Sequence, residues 1–207
     1  MKNIIFRCIL CLMFLSSCSQ QRSLIYHRVL PQSIKRIAVL PPDKQMITNE
    51  FSAEFLQKML AYMVFQETAY FIQPLDSTNA LIERINFAEN SLSDIGMQLK
   101  VDGLLRYDFV DLLENEGKRE GFILSVSLVD CEQGKGVWQS IRKYKGKENL
   151  KQYQALKQYF SSKMKGSIGA YFAELYSVLR EAFKNLPEPK YSQAERTKRL
   201  LDTTEPF

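Results

Sequence analysis

Apolar residues recur along this chain at two different spacings, and the change from one to the other marks its layout. Ile34 to Leu40 (IKRIAVL) concentrates branched apolar residues and stops at Pro41-Pro42, which lack the N–H a ladder needs. This predicts a buried strand running into a loop. Phe51, Phe55, Leu56, Met59, Leu60 and Met63 then recur at helical spacing, which predicts a helix from about Phe51 to Phe65 capped by Thr48 or Asn49. Ala69 to Ile72 reads as a short second strand ended by Pro74. Asp76 or Ser77 opens a helix through Leu81, Ile82 and Ile85, and Ser91 or Ser93 opens a shorter one through Ile95 and Leu99.

From Val101 the period becomes two. Val101, Gly103, Leu105, Tyr107 and Phe109 share one face, while Asp102, Arg106 and Asp108 alternate with them. Glu114 to Gly121 reads as a charged hairpin connection, Phe122 to Val129 as the returning strand, and Val137 to Tyr144 as the last strand after the turn Glu132-Gln133-Gly134-Lys135-Gly136. These three strands predict an antiparallel meander. Tyr153, Leu156, Phe160, Met164, Ile168, Phe172, Leu175, Leu179 and Phe183 then form a helical stripe between Leu150 and Leu186, with Gly166 and Gly169 placed to bend or split it.

The fold class that follows is α/β: one domain, a mixed β-sheet with an antiparallel C-terminal meander and flanking helices. Its expected extent is residues 34–186, closed by Pro187 and Pro189. Residues 187–207 have little to bury and read as a mobile tail.

The first residues carry a different kind of pattern. Lys2 and Arg7 supply a positive start, Ile4 to Leu15 a short apolar run, and Leu15-Ser16-Ser17-Cys18 the small residues before a cysteine. The run is too short to span a bilayer, so residues 1–17 read as an export signal. The tetrapeptide resembles a bacterial lipobox. That resemblance implies cleavage before Cys18, a diacylglycerol on its sulfur and an acyl chain on the new amino terminus, with no other cofactor. Several acyl chains anchor a protein durably. Ser19-Gln20, with no Asp beside the cysteine, resembles Gram-negative lipoproteins sorted to the outer membrane. Residues 18–33 are then a polar lipidated tether of about fifteen residues, reaching roughly 50 Å from the membrane, and the body faces the periplasm.

Charge narrows the partners. The 207-residue chain is formally +5, and the mature form, without Lys2 and Arg7, is 5 − 2 = +3. So mild a balance does not call for nucleic acid. Arg142, Lys143, Lys145, Lys147 and Lys151 form the strongest charged run. It reads either as a solvated face or, near a membrane, as a patch for lipid phosphates or an acidic partner.

Chemistry finds few candidates. Cys8 and Cys11 leave with the signal and Cys18 is lipidated, so Cys131 is the one remaining thiol and no intramolecular disulfide or cysteine zinc site forms. His27 is the only histidine and lies in the expected tether, which leaves no Ser-His-Asp, Cys-His or histidine metal set. Gly166-Ser167-Ile168-Gly169 lacks the spacing of a nucleophile elbow. Asp102, Asp108, Asp111, Glu114 and Glu116 offer carboxylates for a glycosidase-like pair, but a wet strand face and a charged hairpin account for all five. The expectation is a non-enzymatic protein without a metal.

Three stretches resemble the periplasmic domain shared by CsgG-type, LpoB-type and TolB amino-terminal proteins. They are IKRIAVLPP at Ile34 to Pro42, IGMQLKVDGLLRY at Ile95 to Tyr107, and LVDCEQGKGVW at Leu128 to Trp138. In the last, Asp130 is placed to accept backbone N–H groups at the turn, Gly134 and Gly136 tolerate positive φ, and Trp138 is placed to pack across the hairpin. The resemblance implies an accessory or adaptor in an envelope assembly, secretion or transport complex, with homo-oligomers, since relatives form rings or trimers. Two variants of the role are an auxiliary lipoprotein of an ABC-type lipid transport system and a subunit of a secretion pore. The long amphipathic strand pairs of a pore barrel are not evident in the sequence.

Overall fold

Ile37 and Val39 join one hydrophobic core while Ala38 and Leu40, alternating with them, join a second. A strand buried on both faces needs a layer on each side. The computed structural model, which describes residues 25–27, 34–42, 53–85, 90–115, 118–145, 154–163 and 172–195, provides both layers. The elements in chain order are β1 (Ile25–His27), β2 (Arg36–Val39), α1 (Ala53–Glu67), β3 (Phe71–Ile72), α2 (Leu75–Arg84), α3 (Leu92–Leu99), β4 (Gly103–Asn115), β5 (Lys118–Asp130), β6 (Lys135–Lys145), α4 (Gln154–Lys163) and α5 (Phe172–Phe183).

The strands form one mixed sheet in the order β1-β6-β5-β4-β2-β3. β2 is parallel to β3 and β4, and β4, β5 and β6 are the antiparallel meander. The larger core unites α1, α4 and α5 with one sheet face, where Phe55, Phe122, Phe160, Phe172 and Trp138 are almost fully buried. Side chains of this size each contribute about 1.5–3 kcal/mol on burial. α2 and α3 cover the other face, over Ala38 and Leu40 at the end of β2 and Leu104 at the start of β4. Among the described residues no helix is long and apolar enough to cross a membrane.

Three features differ from the sequence expectation. Ile25–His27, expected in an irregular tether, is a strand paired with β6. Ile and Tyr favour strand structure, and without them β6 would leave its outer ladder groups unpaired. The β4–β5 pairing continues, through register shifts at Phe109/Asp111 and Leu113/Glu114, to Asn115↔Lys118, leaving two residues between the strands where eight were expected. Charge alone does not end a ladder of paired backbone groups. The helical stripe is described as two helices, α4 and α5, in keeping with an expected split, with Gly166 and Gly169 outside the described residues.

The third difference is the tail. Residues 187–195 lie against the body: Tyr70 donates its hydroxyl to the Pro187 carbonyl at 2.7 Å, and Tyr191 packs edge-on against Phe71 of β3 with ring centroids 5.5 Å apart. Packed edge to face, the two rings cover part of each other's apolar surface. Residues 196–207 lie outside the described residues. α2 starts at Leu75 behind Pro74 with no side-chain cap, while Ser91 caps α3 in a reciprocal box with Asp94.

Candidate functional site

The β5–β6 turn, the start of α3 and the approach to β4 meet in one place. Asp130 is 1 % exposed and its Oδ1 accepts the Glu132 N–H at 2.8 Å. Cys131 follows, donating its N–H to the Asp102 carbonyl at 2.9 Å and accepting the Ser93 hydroxyl at its own carbonyl. Asp102 turns its carboxylate to β2, where Oδ2 accepts the N–H groups of Lys35 and Arg36 at 2.9 and 2.8 Å. Both carboxylates thus hold loop backbone in place.

Of the two turn glycines, Gly134 alone takes a positive φ, +64°. Gly136 is already in β6, paired with Val129 at a bulge, and has open space where a Cβ would stand. Trp138 stands opposite Leu128 across the hairpin. It also stacks on Phe183 of α5 with centroids 6.2 Å apart and donates Nε1–H to the Asn185 carbonyl at 3.1 Å, so it joins the sheet to the helix.

An open cleft of about 390 Å³ lies beside this turn, lined by Ser93, Met97, Val101, Asp102, Asp130 and Glu132. Met97 stands on its rim, 72 % exposed. Cys131 borders it too, but burial first, then the charges of Asp130 and Asp102, push the thiol up to about 12. A thiol held protonated is a poor nucleophile. Asp108 is half-buried on β4 opposite Ser125. Asp111 and Glu114 are seen as register positions on β4, and Glu116 and Ser167 lie outside the described residues. No cluster of three or more His, Cys, Asp or Glu side chains suited to a metal occurs among the described residues.

The basic run does not share one surface. Arg142 is buried on the core face, pairing with Leu124, and donates from its guanidinium to the Glu181 carbonyl of α5 at 2.9 Å. Burial lowers its pKa and Glu181 opposes that shift. Lys143, one residue on, points the other way and is exposed. Lys145 ends β6 opposite Gly121, while Cys18, Lys147 and Lys151 lie outside the described residues. The alternation of Trp138, Ser140, Arg142 and Tyr144, all buried, carried the signal that Arg142 faces inward.

Neither protein-family models nor curated proteins match the sequence. Among solved structures, a PelC dodecamer from Paraburkholderia phytofirmans is similar at 9% identity, with a TM-score of 0.48 over 80% of this chain and 98% of that one. Lipoprotein GNA1162 from Neisseria meningitidis is similar at 16% identity and TM-score 0.42, over 62% and 94% of the two chains. A hypothetical protein of Chlamydia trachomatis is similar at 10% identity and TM-score 0.44, over 73% and 95%. At these scores the likeness is loose and carries no function across.

Two features of the site had a weaker sequence signal. Gly96 sits inside α3, where glycine costs about 1 kcal/mol relative to alanine, and a Cβ there would stand 2.2 Å from Cys131 Sγ. An interior helix glycine is itself the mark of such a close approach. Gln57 and Asn79 exchange side-chain hydrogen bonds at 2.8 and 3.0 Å while Gln57 also donates to the Val39 carbonyl at 2.9 Å, tying α1, α2 and β2 together. No local sequence pattern links residues 22 positions apart.

Proposed function

We propose that this chain is a lipid-anchored lipoprotein of the bacterial outer membrane, facing the periplasm, that serves as a non-enzymatic accessory or adaptor in an envelope assembly, secretion or transport complex. One observation carries the reading. Leu15-Ser16-Ser17-Cys18 ends a short apolar run behind Lys2 and Arg7, and the chain enters the sheet at Ile25 soon after. Acyl chains on Cys18 hold the body durably at a bilayer.

The turn and cleft support a binding role over a chemical one. Asp102 and Asp130 hold backbone, and the Cys131 thiol is protonated. The resemblance to CsgG-type, LpoB-type and TolB amino-terminal domains, stated on IKRIAVLPP, IGMQLKVDGLLRY and LVDCEQGKGVW, points to protein partners in the envelope and to further copies of the chain.

Crosslinking and affinity purification of the full-length protein from envelopes, with a Cys18→Ala control and mass spectrometry of bound proteins, tests this. One stable envelope complex, lost in the control, supports the adaptor role. Hydrolysis of envelope glycan by the purified protein, abolished by Asp102→Asn with folding retained, overturns it.

A further inference from the structure

One buried carboxylate oxygen at the β5–β6 turn lacks a donor. Asp130 lines the cleft at 1 % exposure, and its Oδ1 is taken by the Glu132 N–H. Its Oδ2 is enclosed and has no hydrogen-bond partner among the described residues. Lys135 stands opposite Asp130 in the register and does not supply that donor. A buried acceptor left unpaired is costly, and a charged one more so. A donor entering from the cleft removes the cost.

The surroundings narrow the kind of donor. Asp102 and Glu132 line the same cleft, and among the described residues no Lys or Arg does. Arg36, Lys100 and Lys135 are exposed at neighbouring positions outside the lining. Asp102 is engaged with the backbone N–H groups of Lys35 and Arg36, so Glu132, exposed on the turn, is the second carboxylate open to a ligand. Two carboxylates favour a cation, and no cluster suited to a metal ion occurs among the described residues. An organic cation fits better. Met97 on the rim and Val101 in the lining add apolar surface, and an unbranched thioether adapts readily to a hydrocarbon stem.

We propose that this cleft takes an arginine side chain presented by a protein partner. The guanidinium bridges Asp130 Oδ2 and Glu132, the stem lies along Met97 and Val101, and the exposed Met97 and Glu132 side chains shift to admit it. A planar fork of five donors serves two carboxylates at once, and a guanidinium is more weakly hydrated than an ammonium, so it gives up less on leaving water. At about 390 Å³ the cleft sits near the low end of the roughly 300–1,000 Å³ that ligand pockets span, a size for one long side chain and its neighbour. The proposal rests on the adaptor reading only for the partner's being a protein.

The test titrates acetyl-arginine amide, at millimolar concentrations, into the full-length chain purified in detergent with isotope-labelled methionine methyl groups, Met97→Leu assigning the rim signal. The Met97 methyl is expected to shift and saturate, while acetyl-citrulline amide, of the same shape without the charge, leaves it in place. Glu132→Gln is expected to weaken the affinity about fivefold, and Asp130→Asn to abolish the response with the buried Met59 and Met63 methyl signals unmoved. Should Asp130→Asn disturb those core signals, Glu132→Gln decides, and an unchanged affinity in it overturns the proposal. No response at Met97, or an equal response to the citrulline amide or to calcium chloride at the same concentration, also overturns it. Since the titration needs no partner, these outcomes bear on the cleft alone, and absence of a stable envelope complex bears on the adaptor reading alone.

Discussion

The hydroxyl of Tyr191 donates to the carbonyl of Ala69 at 2.7 Å, 122 residues earlier, and closes the end of the chain over the β3 edge. The same hydroxyl lies 3.2 Å from the Lys35 carbonyl. A two-residue edge strand is a weak barrier against pairing with another chain, and covering it with a tail removes that hazard.

Tyr191→Phe removes the hydroxyl and keeps the ring, so it is expected to cost about 1 kcal/mol. Tyr191→Ala also loses the edge-on contact with Phe71 and is expected to cost about 2 kcal/mol. Urea denaturation gives the two values, and amide exchange at Phe71 and Ile72 is expected to quicken in the alanine variant.

Glu195 makes the same docking sensitive to acid. The Lys35 ammonium at 2.6 Å and the Ser192 N–H at 2.8 Å draw its carboxyl from 4.5 down to about 2. A carboxyl whose folded pKa is depressed contributes fully above its unfolded value and loses that contribution as pH falls through the folded one. Residues 187–195 are therefore expected to become protease-sensitive between about pH 4.5 and about pH 2. In Glu195→Gln that pH dependence disappears. An unchanged acid profile in Glu195→Gln contradicts the assignment.

Gly96 and Cys131 form a packing pair without slack. Gly96→Ala places a Cβ 2.2 Å from Sγ and 2.5 Å from Cβ of Cys131, an overpacking expected to cost about 1–3 kcal/mol. Cys131→Gly leaves only the Cα, 3.6 Å away. Adding Cys131→Gly to Gly96→Ala is expected to be less damaging than the separate effects combined, and a double-mutant cycle from thermal unfolding measures the coupling.

Arg142 and Lys143, neighbours in sequence, are expected to respond in opposite ways. Arg142→Ala removes a buried donor to Glu181 and the packed stem beneath it, and should cost about 2 kcal/mol of stability. Lys143→Ala should stay within about 0.5 kcal/mol. Equal losses by denaturant unfolding contradict the inward placement of Arg142.

What the sequence made legible follows from local periodicity. Ile34–Leu40 gave the buried strand, the Phe55-Met59-Met63 spacing gave α1, and Ser91, one of two candidate caps with Ser93, gave the start of α3. The misses lie where a long-range partner decides. Ile25–His27 is too short to read as a strand until β6 is there to pair with it. Tyr191 sits in a polar tail and acquires a role only against Phe71, 120 positions earlier. Arg142 followed its charge in the sequence and its strand parity in the fold. Asp102 read as a wet strand residue, and its bond to the β2 backbone depends on a crossover of 66 residues.

The lipid anchor is the central claim, and one measurement addresses it directly. Cells of a Gram-negative host expressing the full-length chain are fed an alkyne fatty acid, and the wild type is compared with Cys18→Ala by click labelling and envelope fractionation. The wild type is expected to carry the label and sediment with the outer membrane, and Cys18→Ala to lose both. A wild type without label, or a Cys18→Ala protein that keeps it, contradicts the account.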